Sequence, residues 1–438
     1  MLLLDLVYLI ALAVLSPWLA WRAAATGRYR RDLAAKLLGR AILPNDSRPT
    51  IWFHAVSVGE INLLGTLVPA FRRRHPDWRI VVSSTTESGL AEARRRFTEH
   101  AAIAWPFDFS WSVRCTLNRV KPAAIVLVES ELWPNFLRMA ERMHVPVVLA
   151  NARMSPRSFR RLARFGGIAR SLLLDRVARF AVQDADYAER FQRLGVTPGK
   201  LTVTGSIKYD GASGDRDTPR SRELARLLAV TRDKAQRPIV WLAGSTHAPE
   251  EGIVVGIFAR LRERFPRLRL ILVPRHPDRF EEVAKLVERS GLPYARRSTI
   301  AGPLAEMPAV VLLDSVGELG AAWGLADVGF TGGSLDGRRG GQSMIEPAGY
   351  GVPCVFGPHV WNFKDAARRL AESSAAIMVN DAVELEAELA RLIADEPCRE
   401  RMGAAARELV RRQQGATERT LDAIDDVLGK ATAHGRAA

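Results

Sequence analysis

A chain of 438 residues with 47% hydrophobic and 25% charged residues is long enough for about two to three domains and too apolar to be a disordered tract. Its 63 lysines and arginines against 48 aspartates and glutamates leave a net charge of +15, which suits an anionic partner: nucleic acid, an acidic membrane surface or a phosphorylated substrate. Three widely spaced cysteines, Cys115, Cys354 and Cys398, disfavour a disulfide framework, and the absence of CxxC and HExxH disfavours structural zinc, so a reducing compartment fits best.

The first element is the apolar run "MLLLDLVYLIALAVLSPWLAW", residues 1–21, which has no lysine or arginine. Arg22, Arg28, Arg30, Arg31, Lys36 and Arg40 follow it. A signal peptide carries its charge before the apolar run; here the charge comes after, which holds the rest of the chain on the cytoplasmic side. The stretch reads as a single membrane anchor. A shallow interfacial helix is the competing reading, because Asp5 and Pro17 shorten the span.

Strand-length apolar runs then alternate with helical patterns. The first set lies at residues 51–56, 79–85, 123–129, 145–151, 179–183 and 201–206; the second lies at 239–245, 268–274, 309–315, 327–333, 353–357 and 375–380. Near-continuous apolar strands between helices predict parallel sheets covered on both faces. A Gly-, Asp- and Ser-rich stretch separates the two sets. The predicted organisation is an anchor (1–22), a first doubly wound domain (23–210), a linker (211–236), a second doubly wound domain (237–410) and a C-terminal helix with a frayed tail (411–438).

Polar and glycine-rich residues gather just after these strands, where open parallel sheets bind ligands. Ser57-Val58-Gly59-Glu60 follows the first strand. Ser57 and Glu60 have capping-box spacing, yet a carboxylate at a helix N-terminus is also held ionised and able to accept a proton; spacing does not separate the two. Glu129 and Glu131 end the third strand, where buried carboxylates need cations, and Arg153, Lys208 and Arg275 are the candidates. In the second half, "GSTH" (244–247) has the backbone donors of an anion cradle. Arg275 and His276 follow a strand, arginine suiting phosphate. The region 332–357 is dense in glycine, permitting close backbone approach to a ligand, and Glu346-Pro347 opens a helix. Neither GxGxxG nor GxxxxGK[ST] occurs, which disfavours a dehydrogenase or ATPase.

"HAVSVGE", "ESELWPN", "NARMS", "GSIKYD", "GSTH", "PRHPDRF", "GELG" with "ADVGFTGGS", and the glycine-rich segment around "EPA" occur in that order. Together they resemble the 3-deoxy-D-manno-oct-2-ulosonic acid (Kdo) transferases of lipopolysaccharide biosynthesis, over nearly the whole chain. The resemblance implies a GT-B fold: two Rossmann-like domains facing a cleft. It implies transfer of Kdo from CMP-Kdo to the lipid A precursor (lipid IVA) at the cytoplasmic face of the inner membrane. It further implies no metal, no cofactor beyond the donor, and no nucleic-acid partner. By the same resemblance Glu60 falls on the catalytic base, and Glu131 (rather than Glu129) and Lys208 fall on transition-state-stabilising positions. Pro274, Arg275, Val316, Gly317, Glu318, Ser343, Met344, Ile345 and Glu346 fall on CMP-binding segments. Two departures stand out. Gly340-Gly341-Gln342-Ser343 replaces the usual GGHN, and Asp314-Ser315-Val316 precedes Gly317-Glu318. The rival readings are another nucleotide-sugar transferase or epimerase of the same fold, and a non-catalytic membrane-associated binding protein.

Overall fold

The computed structural model describes residues 2–26, 33–44, 46–231 and 237–435. Arg28, Arg30 and Arg31 of the basic run, residues 232–236 of the expected linker and the last three residues of the tail lie outside the described residues. The chain divides into two units: residues 1–210 with 414–438, and residues 211–413.

The first unit opens with helices α1 (Leu2–Thr26) and α2 (Leu33–Leu38), then alternates strand and helix. Its order is β1 (Thr50–His54), α3 (Val58–Arg74), β2 (Arg79–Ser84), α4 (Glu87–Arg96), β3 (Ala101–Ala104), α5 (Ser110–Val120), β4 (Ala124–Val128), α6 (Pro134–Arg142), β5 (Val147–Ala152), α7 (Pro156–Leu172), β6 (Arg179–Val182), α8 (Ala185–Arg193) and β7 (Leu201–Val203). The seven strands form one parallel sheet in the order β3-β2-β1-β4-β5-β6-β7. Strand β1 shows why the sheet is covered on both sides. Ile51 and Phe53 face α3, burying against Leu64 and Phe71, while Trp52 points the other way into Leu117, Phe136 and Leu137 of α5 and α6. A period of two on a fully buried strand produces this division.

The second unit begins with α9 (Pro219–Leu227) and continues through β8 (Ile239–Thr246), α10 (Glu250–Arg264), β9 (Leu268–Pro274), α11 (Phe280–Arg289), β10 (Tyr294–Arg296), β11 (Val310–Leu312), α12 (Leu319–Trp323), β12 (Val328–Thr331), α13 (Ile345–Gly349), β13 (Cys354–Phe356), α14 (Lys364–Glu372), β14 (Ala376–Met378), α15 (Ala382–Ala394) and α16 (Glu396–Gln413). Its parallel sheet runs β10-β11-β9-β8-β12-β13-β14. Part of the stretch 211–236, read from composition as a linker, is packed structure: Thr218 caps α9, and Leu224 and Leu228 bury in the second core beside Leu242 and Trp323. The last helix, α17 (Ala416–Gly435), returns to the first unit. Leu421 and Ile424 enter its core, Arg74 meets Glu418, Asp422 and Asp425 at 2.6, 2.6 and 2.9 Å, and Asp210 accepts from the Gly415 N–H at 2.7 Å.

The single-span expectation for residues 1–21 is not supported. Among the described residues no helix is long and apolar enough to cross a membrane. Asp5, which shortens the apolar run, is engaged by the protein. It is 4% exposed and accepts from the Ser110 N–H at 2.9 Å and from Asn135 Nδ2 at 3.0 Å, while Tyr8 donates to Asp108 at 3.0 Å. A carboxylate satisfied by protein donors docks the first turn of α1 onto α5 and α6, where hydrocarbon would leave it unpaired. Beyond that turn Leu9, Ile10, Val14, Leu15, Trp18 and Trp21 are exposed.

Candidate active site

Each sheet has a switch point, where consecutive crossovers leave in opposite directions: between β1 and β4 in the first unit, and between β8 and β12 in the second. Ligands of open parallel sheets bind beyond the carboxyl ends of such strands. In the first unit those ends carry Glu60 after β1 and Glu129 after β4.

Glu60 sits in the first turn of α3 and does cap it. Ser57 Oγ accepts from the Glu60 N–H at 3.4 Å, and Glu60 Oε2 accepts from the Val56 N–H at 2.7 Å. The Val56 carbonyl is held in turn by the hydroxyls of Ser84 (2.8 Å) and Thr86 (2.9 Å), so the loop presenting Glu60 is tied to the neighbouring strand. Glu129 is buried and left-handed at φ 64°, a costly conformation for a residue with a side chain. Two cations hold it there: Arg153 at 2.8 Å and Lys208 at 3.3 Å. Asn151, also left-handed, accepts from the Ile207 N–H at 3.1 Å and so fixes the turn that carries Lys208. Glu131 instead accepts from Trp133 Nε1 at 3.0 Å. Three carboxylates and two cations therefore share one end of the sheet, and it is Glu129, rather than Glu131, that touches Lys208.

Burial raises the Glu60 carboxyl above its ordinary value; the Val56 N–H and Arg153 oppose this, and Glu129 and Glu131 add to it. A base must be ionised, so activity that needs Glu60 is complete above the raised value and lost as pH falls through it. The acid limb of kcat/KM is expected above the ordinary carboxylate value of 4.5. Arg153→Ala, which deletes a charge that lowers this pKa, is expected to move the limb further up in a pH–rate profile. His54 offers no competing base. It is fully buried, stacked on Trp105 at 3.6 Å, and burial pushes it down to about 3.

In the second unit Pro274 closes β9 and Arg275 follows it, exposed, with its N–H donating to the Thr246 carbonyl at 3.0 Å. His247 and His276 rings lie 5.3 Å apart, and Gln342 Nε2 is 3.4 Å from His247 Nε2. Burial, then Arg339, His276 and Arg275, push His247 down to about 4. At neutral pH the positive charge here is thus carried by arginine, with a neutral imidazole beside it, an arrangement suited to phosphate. Glu346 keeps solvent access although protein crowds it; that crowding raises its carboxyl and Arg275 acts against it. Met344 and Ile345 are buried, so they can offer a ligand only backbone, whereas Ser343 is half-buried. Val316 is exposed, Gly317 takes φ 91° in the same turn, and Glu318 is held by Arg297 at 3.0 Å.

The "GSTH" turn departs from the expected cradle. Glu250, fully buried in the first turn of α10, accepts from the N–H groups of His247 (3.1 Å), Gly333 (2.6 Å), Ser334 (2.9 Å) and Leu335 (3.1 Å). An internal carboxylate thereby occupies the backbone nest at the second switch point, and those amides are not free for a ligand. Burial raises the Glu250 carboxyl and the four donors pull it back. The close approach also needs glycine. A Cβ at Gly332 would lie 2.6 Å from Thr246 Cα, 2.7 Å from the Ser245 carbonyl and 2.8 Å from Glu250 Oε2. Gly332→Ala is expected to destabilise by about 1–3 kcal/mol, as overpacked sites do, read from the denaturation midpoint.

The structure thus gathers Glu60, Glu129, Glu131, Arg153 and Lys208 in the first unit. In the second it gathers Arg275, His247, Arg339 and Gln342, with Arg275 also acting on Glu346. Glu250 and the Ser84–Thr86 pair were missed, and Asn151, read only as the first residue of "NARMS", was given no role. Glu250 reads in sequence only as an acidic residue in a helical first turn, and its four partners come from a strand end and a distant loop.

Two parallel α/β units of this kind define the GT-B class of glycosyltransferase folds. Solved structures that show the fold include a UDP-GlcNAc 2-epimerase from Neisseria meningitidis (TM-score 0.57, 11% identity, covering 86% of this chain and 100% of that one). Another is the kitacinnamycin glycotransferase (TM-score 0.52, 16% identity, 88% and 100%). The family described as 3-deoxy-D-manno-octulosonic-acid transferase (kdotransferase) matches residues 28–211. The 3-deoxy-D-manno-octulosonic acid transferase of Haemophilus influenzae is 34% identical, over 92% of this chain and 92% of that protein. The one of Bordetella pertussis is 36% identical, over 97% and 99%. The chain belongs to this family and is a glycosyltransferase.

Proposed function

We propose that the chain transfers Kdo from CMP-Kdo to the lipid A precursor in lipopolysaccharide core biosynthesis. The observation that carries the reading is Glu60: a half-buried carboxylate with raised proton affinity, fixed by one backbone N–H beside the Glu129–Lys208–Arg153 group. Glu60 takes the proton of a sugar hydroxyl on the acceptor. That oxygen bonds to the anomeric carbon of Kdo in a single inverting displacement. The bond from that carbon to the CMP phosphate oxygen breaks, and its electron pair leaves with CMP. Arg275 stabilises the phosphate charge as it develops, the preorganised electrostatics that contributes most to such catalysis, and Lys208 keeps the transition-state-stabilising role that the resemblance implies. Arg275, Glu346, Ser343 and the Val316–Glu318 turn bind the donor, and the reaction uses no cofactor beyond it.

The acceptor is an anionic lipid, and the reading places the enzyme at the cytoplasmic face of the inner membrane. The exposed apolar turns of α1, with Trp18 and Trp21, support attachment by a helix lying in the interface with its first turn fastened to the protein. Titration with CMP and with UDP tests the donor assignment. CMP binding at least tenfold tighter is expected; preference for UDP would redirect the reading to another nucleotide-sugar enzyme of the same fold.

A further inference from the structure

Helix α7 carries five arginines and no carboxylate. On several other helices exposed arginines have a carboxylate mate: Arg95 with Glu92, Arg368 with Glu372, Arg391 with Glu388, and Arg411 and Arg412 with Glu408. Between Arg153 and Leu174 there is no Asp or Glu. Arg157, Arg160, Arg161 and Arg164 are exposed and make no ion pair among the described residues; Arg170 alone on this helix has one, with Asp175 at 3.1 Å. Phe159 and Leu162 pack on the core, whereas Phe165 (59%) and Ile168 (65%) stand in solvent beside the arginines. The helix breaks at Gly166, at φ 44° and ψ −123°, and nothing lies within 4 Å of a Cβ placed at Gly166 or Gly167, so no neighbour requires glycine there.

Unpaired like charges on one helix repel, and exposed Phe and Ile cost further; both costs turn favourable against a surface that is anionic at the top and apolar beneath. We propose that α7 is a docking surface for the anionic headgroup layer of a phospholipid membrane, with Phe165 and Ile168 entering the acyl boundary at the Gly166 break. This rests on the membrane-side reading above and adds a second contact to that of α1. Position supports it. Helix α6 packs against α7 and, through Asn135, holds Asp5 of α1. Helix α7 also begins three residues after Arg153, the partner of Glu129, so the docked helix adjoins the reacting end of the sheet.

The test uses the full chain, an Arg160→Ser/Arg161→Ser/Arg164→Ser variant and a Phe165→Ser/Ile168→Ser variant. Each is sedimented with vesicles of phosphatidylcholine alone and of phosphatidylcholine and phosphatidylglycerol in equal parts. Each arginine is expected to carry roughly a five-fold share of the affinity for the anionic vesicles. The triple variant should therefore lose on the order of a hundred-fold on those vesicles and little on neutral ones. The apolar variant should lose affinity on both. Turnover of a short-chain, detergent-dispersed acceptor should be retained, which separates this inference from the transferase reading. Undiminished anionic-vesicle binding by the triple variant overturns it. So does an equal loss on both vesicle types, or full displacement of the wild type from the vesicles by a nucleic acid.

Discussion

Glu60→Gln is expected to lower kcat by about 10²–10⁴-fold, the range lost with a general base, while leaving donor affinity and folding nearly unchanged. The substitution separates the two duties that the position performs. Glutamine keeps an oxygen that can accept from the Val56 N–H, now at 2.7 Å, so the start of α3 remains capped. It has no carboxylate to take a proton. If capping were the whole role, Glu60→Gln would leave both turnover and thermal stability nearly unchanged. Steady-state kinetics at saturating donor, with a melting curve on the same sample, distinguishes the cases. The companion Glu60→Ala is expected to lose both turnover and the cap, adding about 1 kcal/mol of destabilisation.

Glu250→Ala is expected to be the most damaging single change in the second unit. It strands four backbone N–H groups at the meeting of β8, α10 and the loop after β12, three of them from consecutive residues. Removing one partner of a buried charged network costs about 3–5 kcal/mol. The effect should be read as a lower unfolding midpoint together with weakened CMP binding, because the loop from Gly332 to Leu335 leads into the Arg339–Gln342 segment beside His247. Glu250→Gln should fall between wild type and Ala, since its amide keeps one accepting oxygen but points a donor at donors. An unchanged midpoint with unchanged CMP affinity would show that the nest holds its shape without the carboxylate.

The two-sheet architecture was legible because parallel strands buried on both faces need continuous apolar residues, as in "IVWLAG" and "RLILVP". The two strands that escaped, β3 and β10, are sheet edges with a partner on one side only, and "AAIA" and "YAR" carry little of that signal. Motif positions after the strands were legible for the same topological reason. What those residues touch was not. Sequence order sets Glu129 and Glu131 two apart, but only the left-handed turn at Glu129 aims one of them at Lys208 and Arg153. The glycine-rich loop suggested a cradle for a ligand, and the buried carboxylate that fills it lies far away in the chain. Asp5 illustrates the converse: a charge that hydropathy treats as a blemish in a span is the residue that fastens α1 to the protein.

The central claim is the reaction itself, and its most direct test is the mass of the acceptor after incubation with detergent-solubilised protein, CMP-Kdo and a tetra-acylated lipid A precursor. A gain of one or more Kdo units, with equimolar release of CMP and loss of the gain in Glu60→Gln, is the expected result. An unchanged acceptor mass in the presence of folded protein and intact substrates, or a gain that survives in Glu60→Gln, would contradict the account.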